Sequence, residues 1–453
     1  MQRKPPSDTT AKAHLTLFLA VFLLINAFAL NGVLWVISPE GYKETVLQHS
    51  WELLRGRGSD DSWGAMQVGL DYVQAPHTTP LYTEIFFNRQ YRFQYPPSAL
   101  FALLGMQQIA GSERIRTNEV QVFEIPPIND LIGWGFVLAT ALSAAALLEI
   151  VLRRRQALPE SRMAAAARVA VVIGLTLTFY PVVKAYTLGQ IQVWINGLFA
   201  VSLLCWATGR KALGGILVGL MCLIKPHYAL FLLWAALRRE WRFMTACGIT
   251  IGMGLIASVA VFGFANHLDY VRVVSFLSER GEAYYPNQSA NGFLNRLMSL
   301  SDPTLFRNLD FPAGQFPPFT PWVYGGTLLS SLAILAAALL HRSVAGDDKR
   351  IIDFCTMALS ATMASPIAWE HHYGVLLPIF AVLLGAMLRS RWIAWLGVSY
   401  VLVSTFIPAS NLLAATPVNF LQSYLFLAAV AVLLLLHYRP WALPTGQEKF
   451  PIQ

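Results

Sequence analysis

Apolar residues in this chain come in long unbroken runs, most of them near the ~20 residues that carry a helix across a bilayer. Such runs lie at 15–37, 129–152, 164–185, 188–208, 243–265, 321–341, 351–367, 373–388, 392–409 and 421–437. Two further stretches are apolar but differently built. Residues 212–237 (ALGGILVGLMCLIKPHYALFLLWAAL) have basic residues at both ends and Lys225-Pro226-His227 in the middle. Each half reaches only ~20 Å at 1.5 Å per residue, against ~30 Å of hydrocarbon, and proline breaks a helix. This pattern predicts two short helices meeting at Lys225. The run SALFALLGMQQIAG after Tyr95-Pro96-Pro97 is short and has no basic anchor, which predicts a helix lying along the membrane surface.

Basic clusters assign the sides. Arg3, Lys4 and Lys12 place the N-terminus in the cytoplasm, and Arg153–Arg155 with Arg162, Arg210 with Lys211, and Arg238, Arg239 with Arg242 mark successive inside turns. Arg342, Lys349 and Arg350, then Arg389 and Arg391, then Arg439 continue the series. The expected fold is one all-α integral-membrane domain over residues 1–453, with about twelve transmembrane helices and both termini inside. Two large outer loops fall at 38–128 and 266–320. No internal repeat or low-complexity segment is evident.

Composition agrees with that class. Of 453 residues, 55% are hydrophobic and only 13% charged, too little polar surface for a soluble protein of this size. The net charge of +8 is scattered between the runs and forms no long block, so it reads as loop bias and not as a nucleic-acid site. Cys205, Cys222, Cys247 and Cys355 all lie in apolar runs, with neither disulfide nor metal spacing expected. The first run exceeds the core of a signal peptide and lacks a clear cleavage site, so it reads as a retained span.

Against this apolar background the polar residues at depth or at the interface stand out, because a charge at the bilayer centre costs at least ~2.5–3.5 kcal/mol. SPIAWEHHYG at 365–374 puts Glu370, His371 and His372 between two apolar runs, at the outer face in the assigned topology. Lys225, at the tip of two half-helices, cannot readily snorkel and calls for a partner or a cavity anion. Asp60 and Asp61 precede Trp63; they suit either a general base or a helix N-cap. Adjacent carboxylates repel, which raises one pKa. Gln190, Gln192 and Asn196 suit helix–helix hydrogen bonds. The imidazoles are open to reading as interfacial groups, and Arg296 as a loop charge. Glu370 either orients an imidazole or is solvated. A metal held by Glu370, His371 and His372 is disfavoured, since consecutive helical residues point in different directions.

The order DDSWGAM (60–66), PLY (80–82), QYPPSALFALL (94–104), LGQIQVWIN (188–196), the lysine–proline break with RREWR (238–242), NQSANGFLNRL (287–297) and SPIAWEHH (365–372) resembles glycosyltransferase family 87. That family belongs to the GT-C superfamily of membrane transferases that use polyprenyl-phosphate sugars. The resemblance implies transfer of a hexose, mannose in the best-characterised members, from a polyprenyl-phosphate donor to a hydroxyl of a glycan or glycolipid acceptor. The place is the periplasmic face of a bacterial inner membrane, with membrane lipids as the other partners and no cofactor or metal. It also implies a catalytic Asp at the start of the first outer loop, here Asp61 or its neighbour Asp60. The chemistry further needs cations for the departing phosphate, for which His371, His372, Lys225 and Arg296 compete; Glu370, Gln190 and Asn287 support them. The doubled Asp and the long stretch at 112–127 depart from the family pattern. A lipid or sugar transporter and a polysaccharide ligase or polymerase with a pyrophosphate-linked donor are the rival readings.

Overall fold

The computed structural model describes residues 8–38, 44–110, 127–155, 162–298, 316–341, 347–388, 390–414 and 416–438. The stretch at 112–126, Arg389 and Arg439 lie outside them. Among the described residues all regular structure is helical, apart from one isolated antiparallel bridge between Asn287 and Trp369. Helices answer the bilayer's main demand, since each satisfies its own backbone hydrogen bonds.

Among the described residues six helical segments are long and apolar enough to cross a membrane by length and composition, or seven if one bent pair counts as a single span. This is a multi-pass membrane protein. The expected topology would require shorter helices such as Gln192–Ala207 and Ile393–Ser404 to cross as well, with Lys211–Ile224 entering without crossing. The segments divide by position. Trp241–Phe262 and Pro321–Leu340 are apolar on nearly every side yet only 17% buried, so they lie at the periphery, whereas Glu370–Met387 is 89% buried and forms the centre.

The break expected at Lys225 is present. Helix Lys211–Ile224 stops at Lys225, whose backbone is extended (φ −132°, ψ 97°), Pro226–Ala229 make one 3₁₀ turn, and Leu230–Arg238 completes the pair. The basic ends of both helices therefore lie opposite the break. There Lys211 pairs with Glu240 at 2.5 Å and Arg238 with Asp353 at 2.9 Å.

The run at 164–185 is not the single straight helix expected. It consists of Arg162–Leu177 and Tyr180–Thr187, bent by 56°. Pro181 is the cause: a helix continuing through it would lose the N–H bond to the Leu177 carbonyl and set the proline ring against that carbonyl, whereas in the first turn of a new helix it is tolerated. Phe179 is accordingly extended (φ −93°, ψ 107°). The run at 351–367 is also cut short, at Met363, and Ser365-Pro366-Ile367 continues as non-helical chain.

The segment after Tyr95-Pro96-Pro97 forms a 3₁₀ turn Pro97–Ala99 and helix Leu100–Ala110, roughly 16 Å long and too short to cross. It packs on the helix tips beside the Lys225 break. The Ser98 hydroxyl donates to the Leu223 carbonyl at 2.5 Å, and the Phe101 ring lies 5.0 Å from that of Phe262. Helix Phe264–Arg280 is tied to the preceding loop: Asn266 accepts from the Leu81 N–H at 2.8 Å, and Asp269 accepts the Thr83 N–H at 2.6 Å and its hydroxyl at 2.8 Å.

Candidate active site

A cavity of about 400 Å³ opens where these breaks and loops converge. Asp61, Gln190, Lys225, His371 and His372 all line it, although they come from four separate stretches of sequence. Arg92, Gln94, Tyr95, His227 and Trp369 complete its polar surface. Its apolar flank is made by Leu230, Val274, Leu277 and Leu335.

Asp61 is the first residue of helix Asp61–Gln74, and Asp60 occupies the N-cap position without a side-chain capping bond. The segment before the helix lies along the turn 187–190, with the Ser59 N–H donating to the Thr187 carbonyl (2.9 Å) and the Asp61 N–H to the Leu188 carbonyl (3.1 Å). Gly189 permits this approach: its φ is +66°, and a Cβ there would sit 1.7 Å from the Ser59 carbonyl oxygen. The same turn delivers Gln190, whose amide nitrogen donates to the Asp61 carboxylate. The Gln190 oxygen accepts from the hydroxyls of Ser62 (2.7 Å) and Tyr95 (3.0 Å), so its orientation is set. Asp61 keeps accessible surface and lines the cavity. Burial pushes its carboxyl pKa up, the Gln190 hydrogen bond opposes this, and the charge of Asp60 adds to it. Asp60 itself does not line the cavity.

At the other end the 3₁₀ helix Glu370–Val375 sends its first residues in diverging directions, as three residues per turn require. The His372 ring turns into the cavity. Its Nδ1 accepts the Trp369 backbone N–H at 3.2 Å, which leaves Nε2 as the nitrogen free for a second contact. Lys225 Nζ lies 2.6 Å from that Nε2 and 2.7 Å from Gln192 Oε1. Lys225 and His372 are thus hydrogen-bonded to each other at the cavity wall, where the lysine's charge suits an anion. The His371 ring lies against those of Trp369 (5.6 Å) and His372 (4.8 Å).

Glu370 faces away from the imidazoles. It is buried, and its Oε2 accepts the Tyr180 hydroxyl at 2.9 Å. It therefore neither orients His371 or His372 nor meets solvent. Among the described residues no three His, Cys, Asp or Glu side chains are grouped to hold a metal. On the same side as Glu370, Glu44 accepts from Lys184 and His49, both at 2.5 Å. Burial opposes its ionisation, but these two partners hold its carboxyl down to about 2.

Arg296 is not in the cavity. It is fully buried, and its guanidinium donates to the carbonyls of Ala283 (3.2 Å), Tyr284 (3.2 Å) and Asn287 (2.8 Å) and to the Ser423 hydroxyl (2.7 Å). Asn287 braces the same loop: its amide donates to the carbonyls of Glu282 and Pro366, and its oxygen accepts the Ala368 N–H. Both residues thereby shape the segment that carries His371 and His372. Arg296→Met should accordingly lower the melting temperature and the yield of assembled protein, as several buried acceptors lose their donor at ~1–3 kcal/mol each. Donor KM in the surviving fraction should stay near wild type.

The cation in the cavity that sequence reasoning passed over is Arg92. Its Nη1 donates to Glu282 at 2.8 Å, and Glu282 also accepts the Trp369 indole N–H at 2.5 Å. Arg92 lies two residues before the QYPP motif, which was the available signal. Nothing local marks Glu282, whose importance comes from contacts across three loops.

Comparison with known proteins gives the arrangement its context. Two polyprenol-phosphate-mannose-dependent alpha-(1-2)-phosphatidylinositol mannoside mannosyltransferases are similar to the chain. That of Mycolicibacterium smegmatis is 26% identical over 232 residues, covering 49% of this chain and 48% of its own. That of Mycobacterium tuberculosis is 26% identical over 273 residues, covering 57% of this chain and 58% of its own. The chain thus spans about half the length of the curated relatives it matches. No solved structure matches it. The family-level match runs over residues 93–366, from the loop that carries Arg92's neighbours to the start of the histidine segment, and on that match the chain belongs to glycosyltransferase family 87.

Proposed function

We propose that the protein transfers mannose from a polyprenyl-phosphate donor to a hydroxyl of a glycan or glycolipid acceptor, at the periplasmic face of a bacterial inner membrane. The observation that carries this reading is the cavity itself, lined by one carboxylate, Asp61, and by the hydrogen-bonded pair Lys225 and His372. Asp61 takes the proton of the acceptor hydroxyl as its oxygen attacks the anomeric carbon. The bond from that carbon to the phosphate oxygen breaks with its electron pair, and Lys225 and His372 neutralise the monophosphate that leaves. A β-linked donor would give an α-mannoside in one in-line displacement. The apolar flank formed by Leu230, Val274, Leu277 and Leu335 suits the polyprenyl chain. Asp60 is the alternative base.

A transporter would also use broken helices, and there are two breaks here, at Phe179 and at Lys225. Membership in a glycosyltransferase family favours the enzyme. A ligase or polymerase would instead take a pyrophosphate-linked donor. Detergent-purified protein supplied with each donor type should use the monophosphate one, and EDTA should leave the rate unchanged. Use of the pyrophosphate donor alone, with loss in EDTA, would select the ligase reading.

The proposed topology has twelve membrane helices, ten that cross and the Lys225 pair as two re-entrant half-helices, with both termini in the cytoplasm. Single cysteines at Arg210 and Arg242, both exposed, should react with an impermeant reagent only from the cytoplasmic side. The four native cysteines are buried and give a low background. Labelling of the two positions from opposite sides would make the pair one full crossing and reverse the sides of all later loops.

A further inference from the structure

Lys225 is held by a side-chain relay with a fixed direction. A lysine ammonium only donates, so the Gln192 carboxamide must turn its oxygen to it, at 2.7 Å. The Gln192 nitrogen then faces Asn196 and donates to its Oδ1 at 2.9 Å. This leaves Asn196 Nδ2 buried, pressed against Gly374 and without a hydrogen-bond partner. Turning both amides over would exchange that orphan donor for an orphan acceptor and would set the Gln192 nitrogen against the lysine. With one buried atom of Asn196 unpartnered in either orientation, the contact with Lys225 is what decides which way the two amides face.

The choice of glutamine matters because a carboxylate would hold the lysine more strongly. Gln192 is fully buried and does not line the cavity, so it acts through Lys225 and not on substrate. We infer that Gln192 is a positioning residue, a neutral acceptor that anchors Lys225 in the cavity while leaving its positive charge unmatched for the departing phosphate. This rests on the reading of Lys225 as a cation for that phosphate.

Gln192→Glu separates positioning from architecture. The new carboxylate keeps the bond to Lys225, and Asn196 can turn its amide to donate to it, so the number of unpartnered buried atoms does not change. A purely architectural role therefore leaves both melting temperature and activity intact. On the present inference the variant melts at or near the wild-type temperature, but turnover falls on the order of tenfold to a hundredfold because the lysine charge is already paired. Turnover should fall more than donor KM rises, since the contact strengthens as the phosphate leaves. Wild-type turnover in Gln192→Glu overturns the inference. Should that variant not assemble, Gln192→Met decides: it keeps bulk but frees the lysine, and wild-type turnover would again overturn the inference, whereas a fall of about tenfold at unchanged melting temperature supports it. Lys225→Ala is measured alongside. An unimpaired Lys225→Ala means that the phosphate reading itself has failed, whereas an impaired one with active Gln192 variants removes the positioning role alone.

Discussion

Replacing Asp61 by asparagine should lower turnover by roughly 10²–10⁴ and leave donor binding intact, the usual effect of losing a general base. Asparagine keeps the size and the contact with Gln190 but cannot accept the acceptor's proton. Asp60→Asn should have the smaller effect, because Asp60 occupies the N-cap position outside the cavity lining while Asp61 opens into it. A dead Asp60→Asn beside an active Asp61→Asn would shift the base by one residue. The pH profile gives an independent check. Enclosure and the neighbouring Asp60 raise the Asp61 pKa, and a base works only when ionised. Activity should therefore rise with pH along an acid limb whose midpoint lies above the ~3.9 of an unperturbed aspartate. Removing the adjacent charge with Asp60→Asn should move that limb toward lower pH.

Lys225→Ala, and separately the double change His371→Ala with His372→Ala, should each lower turnover on the order of 10²-fold while the protein still assembles. The lysine and the His372 Nε2 are hydrogen-bonded at 2.6 Å, and both residues line the cavity. Losing either removes a charge-assisted contact that grows as the phosphate departs. His371 contributes through the ring stack that seats His372 against Trp369. Unchanged turnover and donor KM in both variants would move the phosphate site. Arg92, the other cation lining the cavity, would be the next residue to replace.

Much of this site was legible in the sequence, because ionisable residues in an apolar chain are costly and so stand out. Lys225 and the histidine pair were found that way, the doubled aspartate through the resemblance to family 87, and the proline after Lys225 located the helix break. What the sequence could not supply was direction and distance. Glu370 sits beside His371 in the chain, yet the 3₁₀ geometry turns it to Tyr180, a partner 190 residues away. Arg296 and Arg92 both look like free loop charges in one dimension. Only the packing of loop against loop consumes Arg296 in carbonyl contacts and leaves Arg92 at the cavity. The bend at Phe179 was missed for a different reason: hydropathy counts Pro181 as one polar interruption in an apolar run and ignores its missing N–H. Lys184, inside that same run, was the available warning.

The most direct test is transfer by the purified protein in detergent, given polyprenyl-phosphate-mannose and a panel of glycolipid and glycan acceptors, with products identified by mass. The account expects an acceptor heavier by one hexose, formed by the wild type and reduced by at least about a hundredfold in Asp61→Asn at equal protein. Full activity in Asp61→Asn, or transfer only from a pyrophosphate-linked donor, would contradict it.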